Sequence, residues 1–370
     1  MSTFLERDAT EVLVSGQWSR VLGAPVGNLD ADFFESGGNS LAAARFTAGL
    51  RRVFPEADLP LEVVFDARTF RAISSWLRKG HSTPNGRIVT LAEEGAGVPL
   101  LLLPSGGGGV VGLQALAGEP LDRPVYALQA RGLNPVDGPP LRNLTDLVAD
   151  FAEIVRARDL PRTIHLAGYC AGGIFAYELA RTLCDEGWSV ASVLLLNTSL
   201  HTPPATFEEI VETRLNSISE SAGLGAKRSA DAQQVFAELI ASGADIVETD
   251  AAAFEARLHV YASLWSAAVG YRPQPADFPV RLFSTPDRVD PKDVTAVGHH
   301  VPDWGETGLQ DFHCYEVSSG HFEMLRHRPT LQMIEDCLVE VEGRSQAVAP
   351  AAIASHRASG QPHSYEGRTG

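Results

Sequence analysis

A cysteine lies at a turn whose residue types and spacing suit nucleophilic chemistry. Cys170 is the third residue of Gly-Tyr-Cys-Ala-Gly at 168–172, between an apolar strand pattern at 164–167 and a helical pattern at 173–186. A strand, a sharp glycine-flanked turn and a helix together form a nucleophile elbow, which exposes the reacting atom at the edge of a sheet. We therefore predict that the Cys170 thiol is the nucleophile of an acyl-transfer reaction.

A free cysteine is more often a small, buried, unreactive side chain, and this alternative applies to every thiol in the chain. Cys184, Cys314 and Cys337 lie in no motif, so we predict that they only pack. The four cysteines contain no C-x-x-C pair and no neighbouring histidine pattern, which argues against a zinc site and against a disulfide framework. No metal is therefore expected.

A thiol nucleophile works with a base and with a group that orients the base. In a fold with such an elbow the histidine comes last in the chain, and His321, in Ser-Ser-Gly-His-Phe at 318–322, follows the last strand pattern. Asn197 follows the strand pattern at 193–196, and its amide can accept the ring N–H, as in Cys-His-Asn sites. The alternative for Asn197 is a plain turn residue. Asp287, after the next strand, is the rival orienting residue.

The negative charge that develops on an attacked carbonyl oxygen needs hydrogen-bond donors. One donor is expected from the backbone N–H of Ala171, and the other from Ser105 or Gly106, at the start of the glycine-rich loop 105–109. That loop could instead cradle a phosphate, but no Lys-Ser or Lys-Thr follows it and its glycines lack the dinucleotide-binding spacing. We therefore predict an oxyanion hole there.

A second chemical feature lies near the amino terminus. Ser40 begins a helical pattern in the segment 32–41, which reads Asp-Phe-Phe-Glu-Ser-Gly-Gly-Asn-Ser-Leu. A serine in this place is commonly a helix N-cap. A helix N-terminus also offers free N–H groups and a positive dipole end to a phosphodiester. Ser40 is therefore a candidate both for capping and for covalent attachment of a phosphate group.

Composition excludes several classes of function for a chain of 370 residues. With 44% hydrophobic and 21% charged residues, it is ordinary globular material. A formal net charge of −16 argues against nucleic-acid binding, which needs clustered Lys and Arg. No apolar run is long enough to span a bilayer and no signal peptide is evident. We expect a cytoplasmic protein that acts as a monomer without membrane contact.

The elements that must position these residues fall into distinct regions. Helical patterns at 9–22, 40–54 and 68–78 form a small unit, and the Gly- and Pro-containing segment 81–87 is predicted to be a linker. Beyond it, apolar strand patterns alternate with helical ones, which indicates an α/β fold with a parallel sheet. The predicted strands are 98–103, 125–128, 164–167, 193–196, 280–283 and 314–317.

Two segments depart from this alternation. About 80 residues separate Leu196 from Val280, and the helix-prone stretch from about 200 to 272 is predicted to be an insertion over the carboxyl edge of the sheet. Folds of this type place their chemistry at that edge. Residues 345–370 are rich in Ala, Ser, Gly and Pro, so this tail is predicted to be disordered.

The amino-terminal segment resembles the signature D-x-F-x-x-G-G-x-S-L of acyl and peptidyl carrier domains. The matching positions are Asp32, Phe34, Gly37, Gly38, Ser40 and Leu41. The resemblance implies a small four-helix carrier domain over residues 5–80, with a 4′-phosphopantetheine arm on Ser40. It also implies two kinds of partner, a phosphopantetheinyl transferase and the upstream modules of a synthetase.

The sequence from 88 to 344 resembles the thioesterase domains that end nonribosomal peptide synthetases, which carry a Gly-His-Phe motif where His321 lies. The resemblance implies an α/β-hydrolase fold, with the stretch of about 200–272 as a helical lid. In that family a serine usually occupies the place of Cys170, and an aspartate that of Asn197. Members with cysteine are associated with β-lactam and β-lactone release.

Together the two resemblances predict that a peptidyl thioester on Ser40 is passed to Cys170 and then released by intramolecular cyclisation. Because a thioester on cysteine remains a better acyl donor to nitrogen than an oxoester, a strained four-membered ring is one candidate product. Hydrolytic release of a linear peptide is the alternative within enzymes. A carrier and docking module with a vestigial elbow is the alternative of another class.

Overall fold

The computed structural model of the protein describes residues 9–54, 59, 62–80, 87–118, 120–133, 137–200, 204–225, 231–242, 251–285, 302–321 and 323–357. Asp287, the predicted linker apart from Arg87, and the end of the tail from residue 358 lie outside these ranges. Ser40 is described only as the start of a helix, because the position of its side chain also lies outside the description.

Helices dominate the amino-terminal unit, and strands alternate with helices after Arg87. The helices are α1 (Ala9–Leu22), α2 (Ser40–Val53), α3 (Glu62–Ala67), α4 (Phe70–Gly80), α5 (Leu144–Ala157), α6 (Gly172–Asp185), α7 (Phe207–Ser221), α8 (Ala232–Ser242), α9 (Ala251–Ala268), α10 (Pro302–Gly305) and α11 (Arg328–Arg357). The strands are β1 (Ile88–Ala92), β2 (Leu100–Leu103), β3 (Val125–Leu128), β4 (Thr163–Tyr169), β5 (Ser189–Leu196), β6 (Val280–Ser284) and β7 (Phe312–Glu316).

The amino-terminal unit, α1 to α4, has its own apolar core around Trp18. The Trp18 ring meets the rings of Phe33, Phe46 and Phe70 edge to face, at centroid distances of 5.1, 5.8 and 6.0 Å. This geometry stabilises aromatic pairs beyond the burial of their area. The sequence patterns anticipate α1, α2 and α4 but contain no signal for the short α3.

The capping role considered for Ser40 belongs to its neighbour. Asn39 has an extended backbone, and its side-chain oxygen accepts the N–H of Ala42 at 2.9 Å. This bond satisfies one of the donors that every helix leaves open at its start. Asn39 is therefore the N-cap of α2, and Ser40 is its first residue.

The second unit is built on a seven-stranded sheet in the order β1-β3-β2-β4-β5-β6-β7. β1 is antiparallel to β3, and the other neighbouring strands are parallel. Leu101 and Leu103 lie in the core shared with α5 and α6, whereas Leu100 and Leu102 lie in the core shared with α11. Because both faces are covered there, the central strand β2 is apolar and buried throughout. The predicted α/β fold is confirmed, and its layers fit an α/β-hydrolase-like fold.

Where the structure describes the segment between β5 and β6, it contains the helices α7, α8 and α9, in the stretch that the sequence predicts to be a helical insertion. The predicted disorder from residue 345 is wrong in part, because α11 continues to Arg357. Alanine, the strongest helix former, is frequent in 345–357 and supports this extension. Within the described ranges, no helix is both long enough and apolar enough to cross a membrane.

Candidate active site

Cys170 lies in the sharp turn between β4 and α6. Its φ is +59°, in the left-handed region that residues other than glycine seldom adopt. A Cβ on Gly168 would lie 2.0 Å from the carbonyl oxygen of Gly172, so the strand and the helix pass too close for a side chain there. The backbone N–H of Cys170 also donates to the carbonyl oxygen of Leu196, at 2.9 Å. The turn is therefore strained and held by its neighbours, as a nucleophile elbow requires.

The two backbone segments predicted to form an oxyanion hole lie side by side. Ala171 precedes the first residue of α6, and no side chain caps that end of the helix. A Cβ on Gly172 would lie 2.6 Å from the carbonyl oxygen of Pro104, which places the elbow in backbone contact with the glycine-rich loop. Ser105 and Gly106 follow Pro104 directly and are buried. This packing brings the residues of both predicted donors to one place.

His321 and Asn197 are 124 residues apart in the chain but in contact in the fold. The amide nitrogen Nδ2 of Asn197 lies 2.5 Å from Nδ1 of the His321 ring. Asn197 follows β5 directly, has a φ of +50°, and is 3% exposed. Asn197 and Cys170 also lie at the carboxyl ends of neighbouring strands, β5 and β4. The structure thus brings Asn197 to His321, whereas Asp287 lies outside the described residues.

The orientation of the Asn197 amide is set by a second hydrogen bond. The backbone N–H of Thr285, just after β6, donates to Oδ1 of Asn197 at 3.3 Å. The amide therefore presents its NH₂ group, rather than its oxygen, to Nδ1 of His321. A ring nitrogen that accepts a hydrogen bond is unprotonated, so a neutral His321 in this arrangement carries its proton on Nε2. This is the reverse of the polarity expected from the sequence, in which the amide accepts the ring N–H.

Tyr169 is a second neighbour of the histidine, and the sequence patterns did not single it out. Its ring stacks on the His321 ring, with centroids 4.7 Å apart and an interplanar angle of 30°. Its hydroxyl donates to the backbone oxygen of His321 at 2.7 Å. Tyr169 therefore fixes the plane of the imidazole and the backbone that carries it. The position next to Cys170 in the elbow is the only signal in the sequence for this role.

Helices α7 and α9 supply an apolar wall around Cys170. Cys170, which is 7% exposed, forms one buried cluster with Ile210 of α7 and with Tyr261, Ala262 and Trp265 of α9. Ligand sites are usually lined in this way by apolar side chains with few polar groups among them. The helical insertion therefore forms part of the site, as its predicted place over the carboxyl edge of the sheet requires.

Ser40 lies in the other unit, at the start of α2. That helix has no acidic residue in its first turn, and its N-cap is an uncharged asparagine. A phosphodiester at this end would therefore meet the positive end of the helix dipole without a neighbouring carboxylate in that turn. The residues fit a covalently attached phosphopantetheine. In the described part of the chain, no group of His, Cys, Asp and Glu side chains is arranged to hold a metal ion.

Comparison with protein families gives two matches along the chain. Residues 13–77 match the phosphopantetheine attachment site, a domain that carries its cofactor covalently on a serine. Residues 98–338 match the thioesterase domain, and this match covers well over half of the chain. The first match contains Ser40, and the second contains Cys170, Asn197 and His321.

The curated relatives are synthetases much longer than this chain. Indigoidine synthase of Dickeya dadantii is 33% identical over 191 residues, which are 51% of this chain and 13% of that protein. A dimodular nonribosomal peptide synthase of Bacillus subtilis is 28% identical over 195 residues, which are 52% of this chain and 8% of that protein. The chain thus spans a small part of the length of the curated relatives that it matches.

Solved structures share the fold of both units. A holo four-domain nonribosomal peptide synthetase bound to AMP and glycine matches 92% of this chain and 26% of its own, with a TM-score of 0.69 and 19% identity. A type II thioesterase from the yersiniabactin pathway matches 69% of this chain and 99% of its own, with a TM-score of 0.50 and 18% identity. The chain therefore belongs to the thioesterase domain family, and a phosphopantetheine attachment domain precedes its thioesterase domain.

Proposed function

We propose that this chain is the releasing end of a nonribosomal peptide synthetase, and that it passes a peptidyl thioester from Ser40 to Cys170 and frees it by intramolecular cyclisation. A phosphopantetheinyl transferase would modify Ser40 in the cytoplasm, and upstream modules would supply the peptide. The phosphopantetheine group supplies an acyl group activated as a thioester. The observation that carries the choice of cyclisation is the contact of the Asn197 amide nitrogen with His321, beside a sulfur nucleophile.

The first step, acylation of Cys170, needs no general base. The first residue of α6 lies two positions after Cys170, and a thiolate is stabilised at a helix N-terminus. The thiolate forms a bond to the thioester carbonyl carbon, the bond from that carbon to the departing sulfur breaks, and the departing thiolate takes a proton from solvent. The N–H groups of Ala171 and of Ser105 or Gly106 would hold the oxyanion. One thiolate replaces another, so His321 only has to donate a hydrogen bond.

The second step is release of the acyl group from Cys170. In this step the tautomer of His321 selects which group attacks the thioester, water or a nitrogen of the peptide. A neutral ring with its proton on Nε2 cannot accept another proton at that atom. Water needs a base as it attacks. A neutral amine of the peptide instead forms its bond to the thioester carbonyl carbon first, the bond from that carbon to the Cys170 sulfur then breaks to release the thiolate, and the nitrogen passes its proton to solvent. To become a base at Nε2, His321 would need the Asn197 amide to turn over and break its bond from Thr285. This arrangement favours a nitrogen of the peptide itself over water.

The same argument explains why cysteine and asparagine occur together. In a serine triad, replacing the acid by asparagine gives the histidine the wrong tautomer and lowers kcat about 10⁴-fold. A thiolate tolerates that tautomer because it does not depend on the histidine for its deprotonation. The acyl group on Cys170 also remains a strong donor, as the closure of a strained ring such as a β-lactam requires. The apolar side chains of Ile210, Tyr261 and Ala262 would limit the access of water.

The test compares the wild-type chain with Cys170→Ser and with the double variant Cys170→Ser, Asn197→Asp, each loaded on Ser40 with the same peptidyl thioester. We expect cyclic product from the wild type, at least a hundredfold less release from the single variant, and mainly linear acid from the double variant, in which a serine triad is restored. Product masses and intact-protein masses provide both readouts. Cys184→Ser, which changes an exposed thiol outside the site, is the matched control.

Each alternative function has a distinct outcome in this experiment. Linear acid as the main product of the wild-type chain would show a hydrolytic thioesterase and overturn cyclisation. An intact-protein mass without an acyl adduct on Cys170, and without released product, would show a carrier and docking module without catalysis. An unchanged ratio of cyclic to linear product in the double variant would contradict the idea that sulfur and the Asn197 amide together select the attacking group.

A further inference from the structure

A hydrogen-bond donor without a partner is buried beside Cys170. Trp265, on α9, is 5% exposed, and its Nε1 has no hydrogen-bond partner among the described residues. The indole N–H is a donor only, so the group that satisfies it must be an acceptor. Native structures rarely leave such a donor unsatisfied, and a bound ligand is one of the explanations when they do. Trp265 belongs to the apolar cluster that contains Cys170.

The indole N–H is turned toward the glycine-rich loop. A Cβ on Gly106 would lie 2.5 Å from Nε1 of Trp265, but 3.1 Å from Cε2 and 3.3 Å from Cδ1. The N–H edge, rather than the ring face, therefore meets the loop, and only a glycine at 106 leaves the indole in this place. The same loop contacts the elbow through Pro104 and Gly172. The donor lies where the loop, the apolar wall and the nucleophile meet.

Trp265 differs from the other two tryptophans of the second unit in its position beside Cys170, and not only in the missing hydrogen-bond partner of its Nε1. Nε1 of Trp304 donates to the carbonyl oxygen of Thr198 at 3.1 Å. Nε1 of Trp188 also has no partner among the described residues, but Trp188 lies in the core under α6, with the Arg162 guanidinium 4.9 Å from its ring centroid. Trp265 alone of the three shares a cluster with the nucleophile.

We propose that the Trp265 N–H binds the amide carbonyl oxygen nearest to the thioester in the acyl chain on Cys170, and so selects peptidyl groups over simple acyl groups. The inference rests on the proposed function. The backbone N–H groups of Ala171 and of the glycine-rich loop are the proposed donors to the thioester oxygen. The indole N–H is therefore left for the next acceptor along the bound acyl chain, which is the first amide carbonyl oxygen. A single donor in an apolar wall fixes the orientation of a ligand, and in this site it would orient the peptide for attack on its own thioester.

The experiment measures acylation of Cys170 in the full chain before the arm is attached to Ser40. The probes are N-acetylcysteamine thioesters of 2-acetamidopropanoic acid and of 2-methylpentanoic acid, which have the same skeleton with and without the amide. Trp265→3-benzothienylalanine replaces the N–H by sulfur and keeps the shape of the ring. We expect the wild type to prefer the acetamido thioester about tenfold, the ratio that one hydrogen bond of ordinary net strength produces. The variant should lose this preference.

Two comparisons make the result decisive. The same replacement at Trp188, a buried indole away from the nucleophile, should leave the preference unchanged. Circular dichroism and denaturant unfolding, which should give the same spectrum and midpoint for the wild type and the Trp265 variant, show that the variant is folded, and the 2-methylpentanoyl thioester provides the reference rate for each protein. A preference retained in the Trp265 variant would overturn the inference and leave the proposed function intact. An equal slowing with both thioesters would make Trp265 an oxyanion donor instead. Failure of the wild type to be acylated would overturn both proposals.

Discussion

The two ends of the central sheet bury polar groups in opposite ways. At the amino ends of the strands, charged side chains lie in a closed hydrogen-bond network with α11. At the carboxyl ends, Cys170 and Asn197 have positive φ values, and the Trp265 N–H has no partner among the described residues. The same fold thus contains one polar cluster that is satisfied and one that is strained and open. Strain and unsatisfied groups collect where proteins act on ligands, because elsewhere they only reduce stability.

The network at the amino ends is centred on the fully buried Arg123. Its guanidinium binds both oxygens of Glu335, at 3.0 and 2.8 Å, and Oε1 of Glu342 at 2.6 Å. Glu342 Oε1 also lies 3.0 Å from Nε2 of the buried His165, whose Nδ1 is 2.7 Å from the Ser192 hydroxyl. Every member has a partner. The network connects α11 to β4 and β5 and is a stabilising element.

The hydrogen bonds and the burial of this network lower the pKa values of both Glu342 and His165. Burial acts to raise the pKa of Glu342, but the hydrogen bonds from His165 and Arg123 and the charge of Arg123 outweigh it and hold the pKa at about 2. Burial lowers the pKa of His165 by more than Glu342 raises it. A neutral His165 then donates from Nε2 to Glu342 and accepts from Ser192 at Nδ1. His165 is therefore a structural histidine.

The largest effect is expected where the closed network is broken. Glu342→Gln removes one of the two negative charges that pair with Arg123. It should lower the free energy of unfolding by about 2–3 kcal/mol, because the buried guanidinium then loses an ionic partner. Denaturant unfolding measures this change, and the rate of Cys170 acylation should stay within twofold. Glu340→Gln, on the same helix and paired with Arg344 in solvent, is the matched control and should change stability by less than about 1 kcal/mol.

Acid dependence provides a second readout of the same variant. The pKa of Glu342 falls from 4.5 to about 2 on folding, so its contribution to stability is complete above about pH 4.5 and is lost as the pH falls toward 2. The lowered pKa of His165 acts in the same direction below its ordinary value of 6.5, since the unfolded chain takes up the proton first. Glu342→Gln should flatten the dependence between pH 4.5 and 2. An unchanged slope would contradict the assignment to Glu342.

A smaller but functionally specific effect is expected at the open end. Asn197→Gly tolerates the φ of +50° and removes only the amide, so release of product should slow about thirtyfold while the free energy of unfolding changes little. In Asn197→Asp the carboxylate accepts a hydrogen bond from the Nδ1–H of His321, which leaves Nε2 free to act as a base and should raise the share of linear product. Product masses measure both changes. A damaging Asp287→Ala together with a harmless Asn197→Gly would identify Asp287 as the orienting residue instead.

The smallest effect is expected at Tyr169, which supports the histidine from outside the reaction. Tyr169→Phe loses the bond to the backbone oxygen of His321 but keeps the stacked ring, so release should slow about two- to threefold. Tyr169→Leu also loses the stacking and should slow release about tenfold. Rates measured across pH distinguish a role in positioning His321 from a role in packing alone. A displaced imidazole changes the pH profile of release, whereas a loss of packing lowers the rate by the same factor at every pH. Equal rates for the two variants would show that stacking does not hold the ring.

Local patterns in the sequence were sufficient for most of the fold. The ends of α1 and of β3 agree with the predicted ranges, because apolar periodicity and turn residues act over a few residues. The short α3 and the continuation of α11 were not anticipated, since the first has too few residues for a clear period and the second follows a composition typical of disorder. The candidate residues Cys170, Asn197 and His321 were found because each follows a strand in the order typical of an elbow fold.

The sequence by itself determined which residue types reach the carboxyl edge of the sheet, and above all that a thiol occupies the elbow. The tertiary structure decided how they face one another. The Asn197 amide turns its NH₂ group to His321 because Thr285, 88 residues away, occupies its oxygen. The N–H of Trp265 meets Gly106 because α9 folds back over the loop after β2. Hydrogen-bond polarity depends on all partners of a group at once, and partners this distant are joined only by the fold.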